Sequence, residues 1–277
     1  MIAYFDTAAF DQIYRKDGCT SADIAALRKA VYGRELTVRL SPHHLEEILL
    51  ARKASPQALS AQLRQALSIA SLRSLLKPCE QLLISDVRDY AAHREASNPF
   101  LHGPIQDDYS SGIAELIESD GEEFTEEFRG ALAELHRQKI NLAALFERAQ
   151  TKLEAEVDLQ AERERSLVAR WDAHAEGLAG AIAEWAGVLE LCRARGLGGL
   201  LQIGTVRVVV AMLLTKLGGA PPTFDGWHHA IGALASGGVF VCCDRRLRAA
   251  LAPPAGAGLL PENCEVIGLT ELLGRVR

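Results

Sequence analysis

The chain has 277 residues, 48% hydrophobic and 24% charged, with a formal net charge of −6. That suffices for one large domain or two small ones, and the acidic balance excludes a protein that coats nucleic acid wholesale, though not one with a local basic groove. No run of about 18 apolar residues exists, so no membrane span is expected. The six cysteines (19, 79, 192, 242, 243 and 264) form no CxxC pair and no zinc-type spacing with histidine, which fits reduced thiols in a cytoplasmic protein.

The N-terminus, MIAYFDTAAF, lacks a basic segment and a cleavage signal and reads as a strand over Ile2–Phe5. Asp6-Thr7 and a helical pattern (Ala8, Ala9, Ile13) follow, closing near Gly18. Asp6 is a preferred N-cap type, and capping does not exclude metal binding. Thr20 to Asp23 opens a second helix (Ile24, Leu27, Val31) that ends at Gly33. Glu35–Leu40 reads as a strand, after which Ser41-Pro42 starts a helix carrying Glu46 and Glu47. Either glutamate can point back toward the strand end or stand as a solvated acid favoured by the helix dipole.

From Ile48 to Cys79 there is no acid, while Arg52, Lys53, Arg64, Arg73 and Lys77 are positive, and Leu59, Leu63, Ala66, Leu67 and Ala70 repeat at helical spacing. Such a basic helix leaving an acidic site suits a phosphate backbone, and equally an ordinary solvated face. Residues 80–105 read as irregular, with an apolar patch Leu82–Ile84, a helix from Asp86 and breakers at Asn98-Pro99 and Gly103-Pro104. Residues 106–165 hold 16 acids against 7 bases, a local charge of −9. Phe124, Phe128, Leu132 and Leu135 are spaced for a helix, as are Leu142, Leu145 and Phe146; 147–169 reads as a long exposed helix or one arm of a hairpin. Residues 171–195 continue helical, Gly196–Gly199 forms a loop, and Thr205–Leu217 is a buried helix ahead of Pro221-Pro222.

The stretch 223–247 reads as a short helix, a glycine turn, a buried strand Val239–Cys242 and then Asp244. Trp227, Ala230, Ile231 and Leu234 mark the buried stripe, with Asp225, His228, His229 and Gly232 opposite. Asp244 falls just past a strand's carboxyl end, where open α/β sheets place ligands. A basic helix (Arg245, Arg246, Arg248), a Pro/Gly loop at 253–258, a strand Glu265–Gly268 and a terminal helix complete the chain. Strands thus occupy both ends of the sequence, which predicts one α/β domain whose ends share a sheet, interrupted by helices.

Carboxylates gathered at strand ends repel one another unless a cation neutralises them. Mg²⁺ or Mn²⁺, hard and oxygen-loving, is the expected ion, able to lower the pKa of bound water and stabilise charge on a phosphodiester. Zinc on histidine fits less well: His43/His44 and His228/His229 are adjacent pairs, and neighbouring helical side chains diverge by about 100°. Each pair is expected to supply one packed and one exposed ring.

The segments IAYFDT, SPHHLEEIL and DGWHHAIGALASGGVFVCCD resemble the PIN-domain nucleases. The resemblance implies an α/β, PIN-like three-layer sandwich around a mostly parallel sheet, with residues 1–54 and 206–277 as the core and 55–205 as an α-helical insertion. It implies RNA cleavage by acids clustered round Mg²⁺ or Mn²⁺. Asp6 matches the family's first-strand aspartate, Asp225 the aspartate opening the later helix, and Asp244 the acid after the next strand. The early-helix glutamate falls on Glu47, with Glu46 as alternate. The expectation is therefore a metal-dependent endoribonuclease in which Asp6, Glu47, Asp225 and Asp244 hold metal and activate water. Arg64, Arg73, Lys77, Arg245, Arg246 and His229 are the expected substrate contacts. The insertion, absent from small toxin-type members, is open to roles as lid, RNA guide, dimer contact or antitoxin-like clamp. The rival reading is a catalytically silent PIN-like module that binds RNA or a protein. A haloacid-dehalogenase-like phosphatase with Asp6 as nucleophile wants an acid two residues on, where Ala8 stands.

Overall fold

The computed structural model describes residues 1–52, 55–72, 75–120, 126–219, 226–261 and 264–277. Four strands, β1 (Ile2–Phe5), β2 (Thr37–Arg39), β3 (Gly238–Val241) and β4 (Cys264–Ile267), form one all-parallel sheet in the order β2-β1-β3-β4. The two ends of the sequence therefore meet in a common sheet, with Ala3 beside Val239 and Phe5 beside Val241. Gly238 starts β3 for a steric reason: a Cβ there would come within 2.4 Å of the Ile2 carbonyl oxygen.

Fifteen helices are described: α1 (Thr7–Arg15), α2 (Ser21–Tyr32), α3 (Pro42–Arg52), α4 (Pro56–Leu67), α5 (Cys79–Ala91), α6 (Pro104–Glu118), α7 (Glu126–Glu156) and α8 (Leu159–Glu164) in the first part of the chain. After them come α9 (Leu167–Trp185), α10 (Leu189–Arg195), α11 (Leu197–Leu200), α12 (Gly204–Leu217), α13 (Trp227–Ser236), α14 (Arg245–Gly256) and α15 (Leu269–Val276). Helices cover both faces of the sheet. Alternation along β1 divides the core: Ala3 and Phe5 pack with Phe10, Ile13, Val38, Val241 and Leu273, whereas Tyr4 packs with Phe240, Trp227 and Val209 on the other side. Helices from residues 55–205 feed both cores, α4 and α6 through Leu63 and Ile113, α5 and α9 through Leu83 and Ile182.

Local chemistry accounts for the helix starts that matter here. Asp6 caps α1, accepting from Ala9 N–H; Thr20 and Asp23 form a reciprocal capping box on α2; Asp244 caps α14. The apolar α12 is buried nearly all round and packs on α9, α13 and α14, each leucine there contributing about 1.5–3 kcal/mol by burial.

Several sequence expectations need correction. The second strand is shorter than Glu35–Leu40, and Leu40 instead bridges Leu75. Residues 79–91 form one regular helix, because Leu82, Leu83 and Val87 share a buried face. Leu197–Leu200 is a helical turn where a loop was expected. Pro253 and Pro254 lie inside α14: their fixed φ suits a helix, and near its end few hydrogen bonds are lost. The charged stretch 147–169 is divided among three helices, since Asp158 and Ser166 each cap a new start. Among the described residues, no helix is long and apolar enough to cross a membrane.

Candidate functional site

β1 and β3 lie side by side, and β2 and β4 flank them on opposite sides. Strand order therefore reverses between β1 and β3, the kind of switch point beside which open α/β sheets place ligands. Asp6 leaves β1 at this point and is 1% exposed. Its Oδ1 accepts from Ala9 N–H at 2.7 Å, and its Oδ2 accepts from the N–H groups of Cys243 (2.7 Å) and Asp244 (2.8 Å). Burial pushes the Asp6 carboxyl up, opposed by the Asp244 N–H and by His229 nearby. Asp244, half-buried, turns Oδ1 to Arg246 N–H (2.7 Å) and Leu247 N–H (3.2 Å).

Glu47 reaches the same edge from α3. Its Oε1 lies 2.7 Å from His228 Nε2 and 3.1 Å from Lys139 Nζ, and its Oε2 lies 3.1 Å from His229 Nε2. Burial opposes ionisation of Glu47, but the imidazoles of His229 and His228 beside it outweigh that and hold the carboxyl well below the usual carboxylate range. His228 and His229 are each 3% exposed, their rings 4.3 Å apart. The expectation that adjacent histidines diverge into one packed and one exposed ring is overturned, because Glu47 stands where both can reach it. It fails equally for His43 and His44, which are buried. Burial pushes His44 down to about 3 and also lowers His43 and His228.

A file of polar side chains runs behind His229. Tyr4 Oη lies 3.1 Å from His229 Nδ1 and 2.9 Å from Ser41 Oγ, and Ser41 Oγ lies 3.1 Å from His44 Nδ1. His44 Nε2 ends the file by donating to the Phe5 carbonyl at 2.6 Å. Gly232 makes room for it: a Cβ there would sit 2.8 Å from Tyr4 Oη.

Glu46, the alternate to Glu47, turns away from this edge to His136 Nδ1 at 2.8 Å on α7. Arg64, exposed, pairs with Asp120 (2.8 Å) and donates to the Ile117 carbonyl (2.6 Å), both within 55–205 like Arg64 itself. Lys77 is half-buried on the strip that bridges Phe100. Arg245 and Arg246 are exposed on the first turn of α14, directly after Asp244. Asp225 and Arg73, with Lys53, Phe124 and Pro221-Pro222, lie outside the described residues.

Among the described residues, Glu47, His228 and His229 are the group whose ligand atoms converge, all within 4.8 Å of one another. The described acids do not fit a shared Mg²⁺ or Mn²⁺. Both oxygens of Asp6 are taken up by backbone N–H groups, Asp244 caps the helix behind it, and Glu47 faces imidazoles. Sequence reasoning singled out Asp6, Glu47, Asp244 and His229 but not Tyr4, Ser41 or Lys139. The repeated His-His dyads on two helices were the available signal. No protein-family model, curated protein or solved structure matches the chain, so its function must be argued from this geometry.

Proposed function

We propose that this chain is a PIN-like ribonuclease, a hydrolase of RNA phosphodiester bonds working at the carboxyl edge of β1 and β3. The observation that carries the reading is the bridge from Asp6 Oδ2 to the N–H groups of Cys243 and Asp244, which brings acids 238 residues apart to one switch point, with Glu47 joined to it through His229 and Thr7. The PIN-like assignment itself rests on motif analogy. In this reading His229 Nε2, set between Glu47 Oε2 and Thr7 Oγ1 at 3.1 Å each, takes a proton from the attacking water. Arg245 and Arg246, exposed beside the N-terminus of α14, hold the phosphate backbone.

The test is cleavage of a short labelled RNA by the full chain with Mg²⁺, Mn²⁺ or Zn²⁺ supplied separately. Glu47→Gln is expected to lower the rate by at least ~10²-fold, the usual contribution of positioned acid–base groups. Asp244→Asn keeps the helix cap, since asparagine caps as well as aspartate, so its loss of activity reports chemistry rather than folding. A chain that cleaves with none of these ions sinks the reading.

One observation favours the second reading, a silent module that binds RNA or a protein: Lys139 and His136 of α7 reach over Glu47 and Glu46. If α7 is a permanent cover, RNA is retained uncut and Lys139→Met unmasks no activity.

A further inference from the structure

We propose that Glu47, His228 and His229 form a binding site for a divalent transition-metal ion of the zinc class. The argument starts from the direction of the hydrogen bonds behind His229. The Phe5 carbonyl only accepts, so His44 Nε2 carries the hydrogen of their 2.6 Å contact. Ser41 N–H donates to His44 Nδ1 at 2.9 Å, so that nitrogen presents a lone pair. Ser41 Oγ–H, 3.1 Å from the same nitrogen, donates there too, which leaves Ser41 Oγ to accept from Tyr4 Oη–H at 2.9 Å. The phenol oxygen, its own hydrogen committed, accepts from His229 Nδ1–H at 3.1 Å. This sense gives each of these contacts a hydrogen, while His44 Nδ1 also lies 3.2 Å from the Ser41 carbonyl, a contact that gains none.

In this sense His229 carries its hydrogen on Nδ1 and presents the Nε2 lone pair, 3.1 Å from Glu47 Oε2 and 3.1 Å from Thr7 Oγ1. A carboxylate has no hydrogen to offer, so two acceptors face each other and something positive belongs between them. His228 supplies a second observation. Its Nε2 lies 2.7 Å from Glu47 Oε1, yet this contact lacks the alignment of a hydrogen bond, and the buried atom has no other hydrogen-bond partner. A proton on His229 satisfies Oε2 and leaves His228 Nε2 unpartnered; a metal ion satisfies all three atoms.

The surroundings suit a metal. A ligating imidazole characteristically donates its other N–H to a group that fixes the ring, as His229 Nδ1 does to Tyr4. Zinc–nitrogen and zinc–oxygen bonds near 2 Å place tetrahedral ligand atoms about 3.3 Å apart, so contacts of 2.7 and 3.1 Å need only slight widening. Two imidazoles with one carboxylate suit zinc-class ions better than Mg²⁺ or Ca²⁺, which prefer all-oxygen sets. Glu47, its side chain 25% exposed, opens the site to solvent, and Lys139 beside it is a flexible chain that is 28% exposed and able to withdraw.

This inference shares a location with the ribonuclease reading but not its chemistry: an ion on His229 Nε2 takes the lone pair that would accept the proton of the attacking water, so the loaded site excludes His229 as base. The test is titration of the chelator-washed full chain with Co²⁺, read by visible d–d absorption, and with Zn²⁺ by calorimetry. The expected result is one ion per chain, unmoved by excess Mg²⁺ and lost in Glu47→Gln and His229→Gln. Tyr4→Phe leaves every ligand in place and is expected to weaken affinity about 10- to 100-fold by freeing the ring, with circular dichroism unchanged. The absence of d–d bands in the parent chain overturns the proposal whatever the variants do, as does a Glu47→Gln, His229→Gln double variant that binds Co²⁺ as tightly as the parent. Metal binding without RNA cleavage supports this site and counts against the ribonuclease. Cleavage by a chain that binds no Co²⁺ overturns this site alone.

Discussion

Asp6 and Glu47 are acids at the same edge of one sheet, and they differ in what satisfies them. Asp6 receives three backbone N–H groups, one from the helix it caps and two from the loop after β3. Glu47 receives side chains: two imidazole nitrogens and the Lys139 ammonium. A backbone amide always carries its hydrogen, so Asp6 works as a clamp holding the β1 and β3 ends together. An imidazole nitrogen carries a hydrogen or a lone pair according to its other contacts. Glu47 therefore faces groups whose charge and partner can change, and a half-buried carboxylate of that kind is the one available to a ligand.

The sharpest way to break this contrast is Asp6→Ala. It strands three amides that now bond to a carboxylate, each such bond being worth about 1.5–3 kcal/mol, so urea denaturation is expected to show a loss of at least ~3 kcal/mol. Glu47→Gln is expected to cost less than Asp6→Ala in the same experiment; the reverse order would mean that Glu47, not Asp6, is the frame. Next in size is Gly232→Ala, whose Cβ meets Tyr4 Oη at 2.8 Å. Overpacking of this kind costs about 1–3 kcal/mol, read in the thermal midpoint, and displacing Tyr4 should also weaken Co²⁺ binding.

A pH series examines the imidazoles. Burial pushes His44 down to about 3, whereas an unfolded histidine titrates near 6.5. The unfolded chain thus binds the proton first: stability from this group is complete above about pH 6.5 and declines as pH falls toward 3. His43 and His228, lowered in the same way, add to the slope. His44→Gln is expected to flatten the urea-midpoint profile between about pH 6.5 and 4.5, where carboxylates contribute least; an unchanged slope would show that His44 is not held neutral.

The smallest effect is expected at Arg64, whose exposed ion pair with Asp120 is worth less than ~1 kcal/mol. Arg64→Ala should leave RNA affinity unaltered, while replacing Arg245 and Arg246 together should reduce the salt slope of binding by about 2. Equal losses from both would place the nucleic acid elsewhere.

Sequence alone determined the features that depend on a few neighbouring residues. Short apolar runs followed by an acid located β1 and β3; capping preference marked Asp6, position past a strand end marked Asp244, and apolar density marked α12. These follow because caps and side-chain alternation act over one turn or two residues. Tertiary structure decided the rest. α13 is buried on both faces because Tyr4 of β1 lies against Gly232 while α5 and α12 pack elsewhere on it, so the face opposite the Trp227 stripe is covered too, which periodicity could not tell. Helical spacing fixes where a Cβ points but not where a ring ends, which is how His228 and His229 both reach a glutamate 182 residues from His229. The same holds for Lys139 over Glu47 and for Asp120 on Arg64, partners that no local pattern encodes because chain folding alone brings them within range.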